Sequence, residues 1–196
     1  MKTLNIIPIF FLLISCTENQ SHHKEVSNTT ISIPDTFQKT TTKVEDHIDF
    51  ESKKYAEAII SGRVKPTDND QTFAWLDSLH SENQNIRQYA FKVYKAMVTK
   101  SDGALSEAMC GYIKDYFISY PNEFLANYPT LTEEEKRQTI ENIAFEFYAS
   151  GTDYKQDFKE YFTSIESKCK DCTSKISASL KEIKEAIEKN VAHMVD

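Results

Sequence analysis

Near the C-terminus Ile176, Leu180, Ile183, Ile187, Val191 and Met194 recur every three or four positions, with Lys and Glu filling the positions between. That spacing places six apolar side chains on one face of an α-helix and leaves the charged ones on the other. A chain carrying such a stripe must bury it, and from residue 45 onward the same period returns repeatedly. Ile86, Ala90, Val93 and Met97 follow i, i+4, i+7, i+11, and Tyr154, Phe158, Tyr161 and Ile165 do likewise. No stretch alternates over five residues except "ISIPD", which Pro34 weakens as a strand. Four glycines and five prolines in 196 residues argue for long regular elements with few loops.

The breaks between stripes carry helix-end signals. In "DHIDFESKKYAEAII" Ile48, Tyr55 and Ile59 share a face, and Gly62 stands where a C-cap is expected. Asp70 is the expected cap of "QTFAWLDSLH" and Asp102 that of "GALSEAMCGYIKDYFISY", which stops at Pro121; "NEFLANY" stops before Pro129. Thr132 with Glu135 is a capping box, so the acids at 133–135 belong to a helix N-terminus and its dipole. That helix runs to Ser150 and Gly151 closes it. The expected fold is all-α: a helical bundle or a short stack of helix pairs, about eight helices. The order of segments 73–80, 86–100 and 104–120 loosely resembles the helix pairing of HEAT-type solenoids, without a visible repeat period.

The N-terminal segment is of another kind. Met1-Lys2-Thr3 is short and positive, and residues 4–14 are nearly all apolar. Eleven residues span roughly 16 Å as a helix, about half a bilayer core, so the run reads as a secretory signal rather than a membrane span. An A-x-A-like cut is missing, because the first alanine is Ala56. The run Leu13-Ile14-Ser15-Cys16 resembles the lipobox of bacterial lipoproteins, with Leu at −3, a small residue at −1 and then the cysteine. The resemblance covers residues 1–16. It implies that residues 1–15 are a signal peptide, that the Cys16 thiol carries a diacylglycerol, and that the protein sits in the bacterial cell envelope, attached to the membrane through its lipid. Thr17 departs from the Asp that resembles an inner-membrane retention signal, which points to the outer membrane where two membranes exist. Residues 16–43 then form an acylated cysteine and a polar tether with ten Ser or Thr in positions 17–43, a flexible coil reaching roughly 30 Å. Residues 44–196 are expected to make a single all-helical domain.

The net charge of −7 excludes a nucleic-acid binder on electrostatic grounds and offers no basic patch for anionic lipid. Three cysteines remain after Cys16. Cys169 and Cys172 lie in "CKDC", and Cys110 is distant. No strand–helix setting supports a redox motif and no second spaced pair supports zinc. In an exported domain a disulfide is the expectation. Cβ atoms at i and i+3 of an intact helix stand about 5–6 Å apart, too far for a bridge, so a Cys169–Cys172 bond requires the helix to break at "SKCKDCTS". The other pairing joins Cys110 to one of them and closes a loop of about 60 residues, worth about 4 kcal/mol in the chain-entropy model.

No catalytic residue emerges: His80 sits at a helix end, and Asp68-Asn69-Asp70 lacks the glycine of a calcium loop. No glycine-rich phosphate loop, H-E-x-x-H or G-x-S-x-G occurs. No metal or cofactor is expected. Residues 112–162 hold thirteen Phe or Tyr. On the capping-box helix Ile140, Ala144 and Phe147 define one face, which Phe145 and Tyr148 widen. Either that helix is buried on two sides, or Phe145 and Tyr148 belong to a binding surface, for which such rings are the usual anchors. Three function classes follow: a module that binds another envelope or extracellular protein, an immunity or inhibitor protein that guards the envelope against a toxin, and, third, an enzyme of unfamiliar site. The first is the expectation.

Overall fold

The computed structural model describes residues 49–151, 153–169 and 172–195. The segment 1–15 expected to be a signal, Cys16, the expected tether at 16–43 and Ile48 lie outside the described residues. The described chain folds into α1 (Phe50–Ile60), α2 (Asp70–Asp77), α3 (Gln84–Met97), α4 (Gly103–Ser119), α5 (Pro121–Asn127), α6 (Glu133–Ala149), α7 (Tyr154–Lys168) and α8 (Ser174–Val195), with 3-10 turns at Ser78–His80 and Tyr128–Thr130. The protein is all-α, and no strand occurs among the described residues.

Most helix ends are set by short polar side chains. Asp49, Asn83, Asp102, Thr132 and Asp153 each accept from a backbone N–H of the turn that follows. At α6 both halves of the capping box form: Glu135 N donates to Thr132 Oγ1 at 3.3 Å, and Thr132 N donates to Glu135 Oε2 at 2.7 Å. The expected cap of α2 is displaced by one residue. Asn69, extended at φ −118° and ψ 165°, is the cap, and Asp70 is the first helical residue. The amide makes two bonds: Asn69 Oδ1 accepts from Thr72 N at 3.0 Å while Nδ2 donates to the Tyr55 hydroxyl at 2.9 Å. Pro121 likewise begins α5 instead of merely ending α4. Its missing N–H is harmless in a first turn, and Tyr120 before it leaves the helical region at φ −130° and ψ 58°.

The end of α1 requires a glycine. Gly62 N donates to Ile59 O and Arg63 N to Ala58 O, both at 2.9 Å, and the pattern closes only with Gly62 at φ +72°.

Helix α6 packs along both α4 and α8, while α3 packs on α1 and on the turn at 78–80. The aromatic excess is largely core. Phe117 and Phe124 stack at 4.1 Å, Phe91 lies 5.8 Å from Tyr116, and Phe147 meets the Tyr161 ring edge-on at 5.3 Å. Trp75, 1% exposed, ties α2 to α1 by donating from Nε1 to Ser52 O at 3.1 Å.

Candidate binding surface

Helix α6 divides its aromatics between two environments. Ile140, Ile143, Ala144 and Phe147 are buried between α4, α7 and α8. Phe145 and Tyr148 fall outside that wedge: Phe145 is half-buried, and Tyr148 keeps 49% of its surface exposed. Their ring centroids stand 6.2 Å apart at 48°. The helix is thus buried on two sides and presents an aromatic pair on a third.

Phe145 also walls a small pocket of about 160 Å³ at the junction of α4, α6 and α8. Cys110 and Ser106 come from α4, Gln138 and Asn142 from α6, and Met194 from α8. The positions are a consequence of helical period: residues 106 and 110 stack four apart on α4, and 138, 142 and 145 follow i, i+4, i+7 on α6. Asn142, 2% exposed, accepts from Gln138 Nε2 at 3.2 Å. Its buried Nδ2 has no hydrogen-bond partner among the described residues.

Carboxylates stand around this pocket. Cys110, a free thiol only 3% exposed, has its pKa pushed up to about 12, first by burial and then by the carboxylates of Glu146 and Glu107. A thiol held protonated in this way is a poor nucleophile at neutral pH. Glu141 shares Arg137 with Glu134: Nη1 donates to Glu141 at 2.5 Å. Lys114, one turn beyond Cys110, places its ammonium 4.4 Å above the Phe147 ring.

Two larger grooves are less suited to an anchor. One, of about 510 Å³ between α7 and α8, is crossed by the ion pair of Lys184 with Glu166 at 2.7 Å. The other, of about 580 Å³, runs along the polar stripe of α3 at Asn85, Gln88, Lys92 and Lys95; Lys95 is already engaged with Glu135 at 3.8 Å.

Cys169 and Cys172 are joined in a disulfide, with Cα atoms 5.1 Å apart. The bond closes because α7 ends at Lys168, so that Cys169 and Cys172 both stand outside regular helix. Cys16 lies outside the described residues. His80, in the 3-10 turn, faces the Tyr112 ring at 6.1 Å. Among the described residues no three His, Cys, Asp or Glu side chains gather closely enough to hold a metal.

The structure also builds a buried ion pair that sequence reading missed. Arg87 Nε donates to Glu123 Oε2 at 3.0 Å and Nη2 to Oε1, while Nη1 donates to the carbonyls of Ser81 and Glu82 at 2.7 and 2.9 Å. The guanidinium lies 3.8 Å over the Tyr120 ring. Glu123 raises the Arg87 pKa, and burial, then Glu123, raises that of Tyr116. Each guanidinium nitrogen and each carboxylate oxygen of the pair is bonded within the fold, so this cluster clamps α3 to α5.

No protein-family model, no curated protein and no solved structure matches this chain.

Proposed function

We propose that this chain is a bacterial lipoprotein, held in the cell envelope by acylated Cys16, whose helical domain binds another envelope or extracellular protein through the α6 surface at Phe145 and Tyr148. The outer membrane is the proposed site where two membranes exist. The observation that supports binding is Tyr148: a large aromatic residue, 49% exposed, paired with Phe145 beside a pocket. Rings so placed supply contact area at low entropic cost and are the common anchors of interfaces. The role proposed is recognition rather than catalysis. The buried cysteine is held protonated, and the buried ion pair is consumed by its own neighbours.

Two measurements test the two halves. Radiolabelled fatty acid is expected on the wild-type protein and not on Cys16→Ser; label that persists in the variant overturns the anchor. Crosslinking in cells, followed by affinity recovery and mass spectrometry, is expected to return one abundant partner protein. Recovery of the acylated protein alone overturns the binding role.

A further inference from the structure

The pocket's size and charge narrow what enters it. Sites for free small molecules occupy about 300–1,000 Å³, whereas this one offers about 160 Å³. That is near the room a benzene-sized group fills, enough for one side chain of a partner. Its lining supplies apolar contact from Phe145, Met194 and Cys110. Its free charge is negative: Glu107 lines it, Glu146 acts on Cys110 beside it, and neither carboxylate has an ion-pair partner among the described residues. Glu146 Oε1 lies 3.8 Å from the point where a Cβ on Gly111 would stand, which places that carboxylate against α4 one residue beyond Cys110. Of the nearby cations, Arg137 is shared between Glu134 and Glu141, which leaves that trio one negative charge in excess, and the Lys114 ammonium sits over the Phe147 ring.

Resting on the binding role proposed above, we infer that this pocket receives a lysine or arginine side chain from a basic segment of the partner protein. Such a side chain is apolar along its stem and cationic at its head, which matches an apolar wall with an acidic rim. Phe145 and Tyr148 add ring faces to which a cation is attracted. An acidic partner is repelled by the same carboxylates, and a wholly apolar side chain leaves them without a counter-charge. The net charge of −7 steers basic segments toward the domain before contact. The unbonded Asn142 Nδ2 plays no part, because it is sealed inside the fold.

The methionines provide the readout. Met194 lines the pocket, while Met97 and Met109 are fully buried elsewhere and report the fold. The full chain, with ¹³C-methyl methionine, is titrated at millimolar concentration with a short alanine peptide bearing two lysines, and with counterparts bearing norleucine or glutamate. The expected result is a saturable Met194 shift with the lysine peptide, with Met97 and Met109 unmoved. Neutralising the rim with Glu107→Gln and Glu146→Gln should weaken that binding about fivefold at low salt, the worth of an exposed charge pair near 1 kcal/mol. Added salt should weaken the wild type in the same direction. A Met194 shift of equal size with norleucine overturns the basic specificity and leaves the binding role standing. No Met194 shift with any peptide overturns the pocket as a docking site, again without touching partner recovery in cells. Unmoved Met97 and Met109 signals in the double variant confirm that it is folded.

Discussion

Removing the Glu123 carboxylate should be among the most damaging single changes available on the surface-to-core boundary. The side chains of Arg87 and Glu123 are 8% and 16% exposed. In Glu123→Ala the guanidinium loses both carboxylate bonds and keeps only the carbonyls of Ser81 and Glu82. Nε and Nη2 are then left without partners where water reaches poorly. Breaking a buried pair from one side costs about 3–5 kcal/mol; the residual exposure here places the cost near the lower end, about 3 kcal/mol. Trp75, the single tryptophan and 1% exposed, reports unfolding by fluorescence. With a urea m-value of about 2 kcal/mol/M for a domain of this size, the midpoint should fall by about 1.5 M. The paired change Arg87→Met with Glu123→Leu should recover most of the loss, because no charge remains buried. A single variant that loses less than about 1 kcal/mol, on the scale of exposed pairs, would refute the view that this cluster clamps α3 to α5.

Three further outcomes follow from the same structure. Phe147→Ala should lose about 3–5 kcal/mol, as a buried phenylalanine does, whereas Tyr148→Ala, one position on and 49% exposed, should lose under about 0.5 kcal/mol; urea melts of the two separate wall from surface. Replacing Cys169 and Cys172 by serine should cost about 2 kcal/mol, since the closed ring spans only a sequence separation of 3 and loop entropy grows with loop length. A loss near 4 kcal/mol would fit the long Cys110 loop instead. Stability should fall in alkali: Cys110 titrates near 9.0 when unfolded and about 12 when folded, so between those values the unfolded state binds fewer protons and each pH unit removes at most about 1.4 kcal/mol. Tyr94, Tyr116 and Tyr161, all raised above 10.0 by burial, steepen the decline at higher pH; a flat melt from pH 9 to 11 would contradict the burial of these groups.

What was legible in the chain was whatever repeats within one element. The stripe at Leu180, Ile183, Ile187 and Val191 marks the buried face of α8 because each member is set by the same 3.6-residue turn. Helix caps were legible to within a residue, and the slip at α2 shows the limit: Asn69 is the cap in place of Asp70, and it also bonds Tyr55, fourteen positions away. The Arg87–Glu123 pair spans 36 positions and left no local trace, since an arginine next to Ile86 reads as a solvated charge. At the candidate site the aromatic pair on α6 was visible from period. The pocket beside it was not, because Cys110 and Met194 arrive from helices distant in sequence. The break that lets Cys169 reach Cys172 was a condition the spacing imposed, and the end of α7 at Lys168 satisfies it.

The most direct test of the binding role is photocrosslinking from position 148 in living cells. A photoreactive residue replaces Tyr148 in one strain and Lys181, whose side chain is 78% exposed on α8, in another. One discrete adduct, identifiable by mass spectrometry, is expected from position 148, and none of comparable yield from position 181. Adducts of equal pattern from both positions, or none from 148, would contradict the assignment of a partner to the α6 surface.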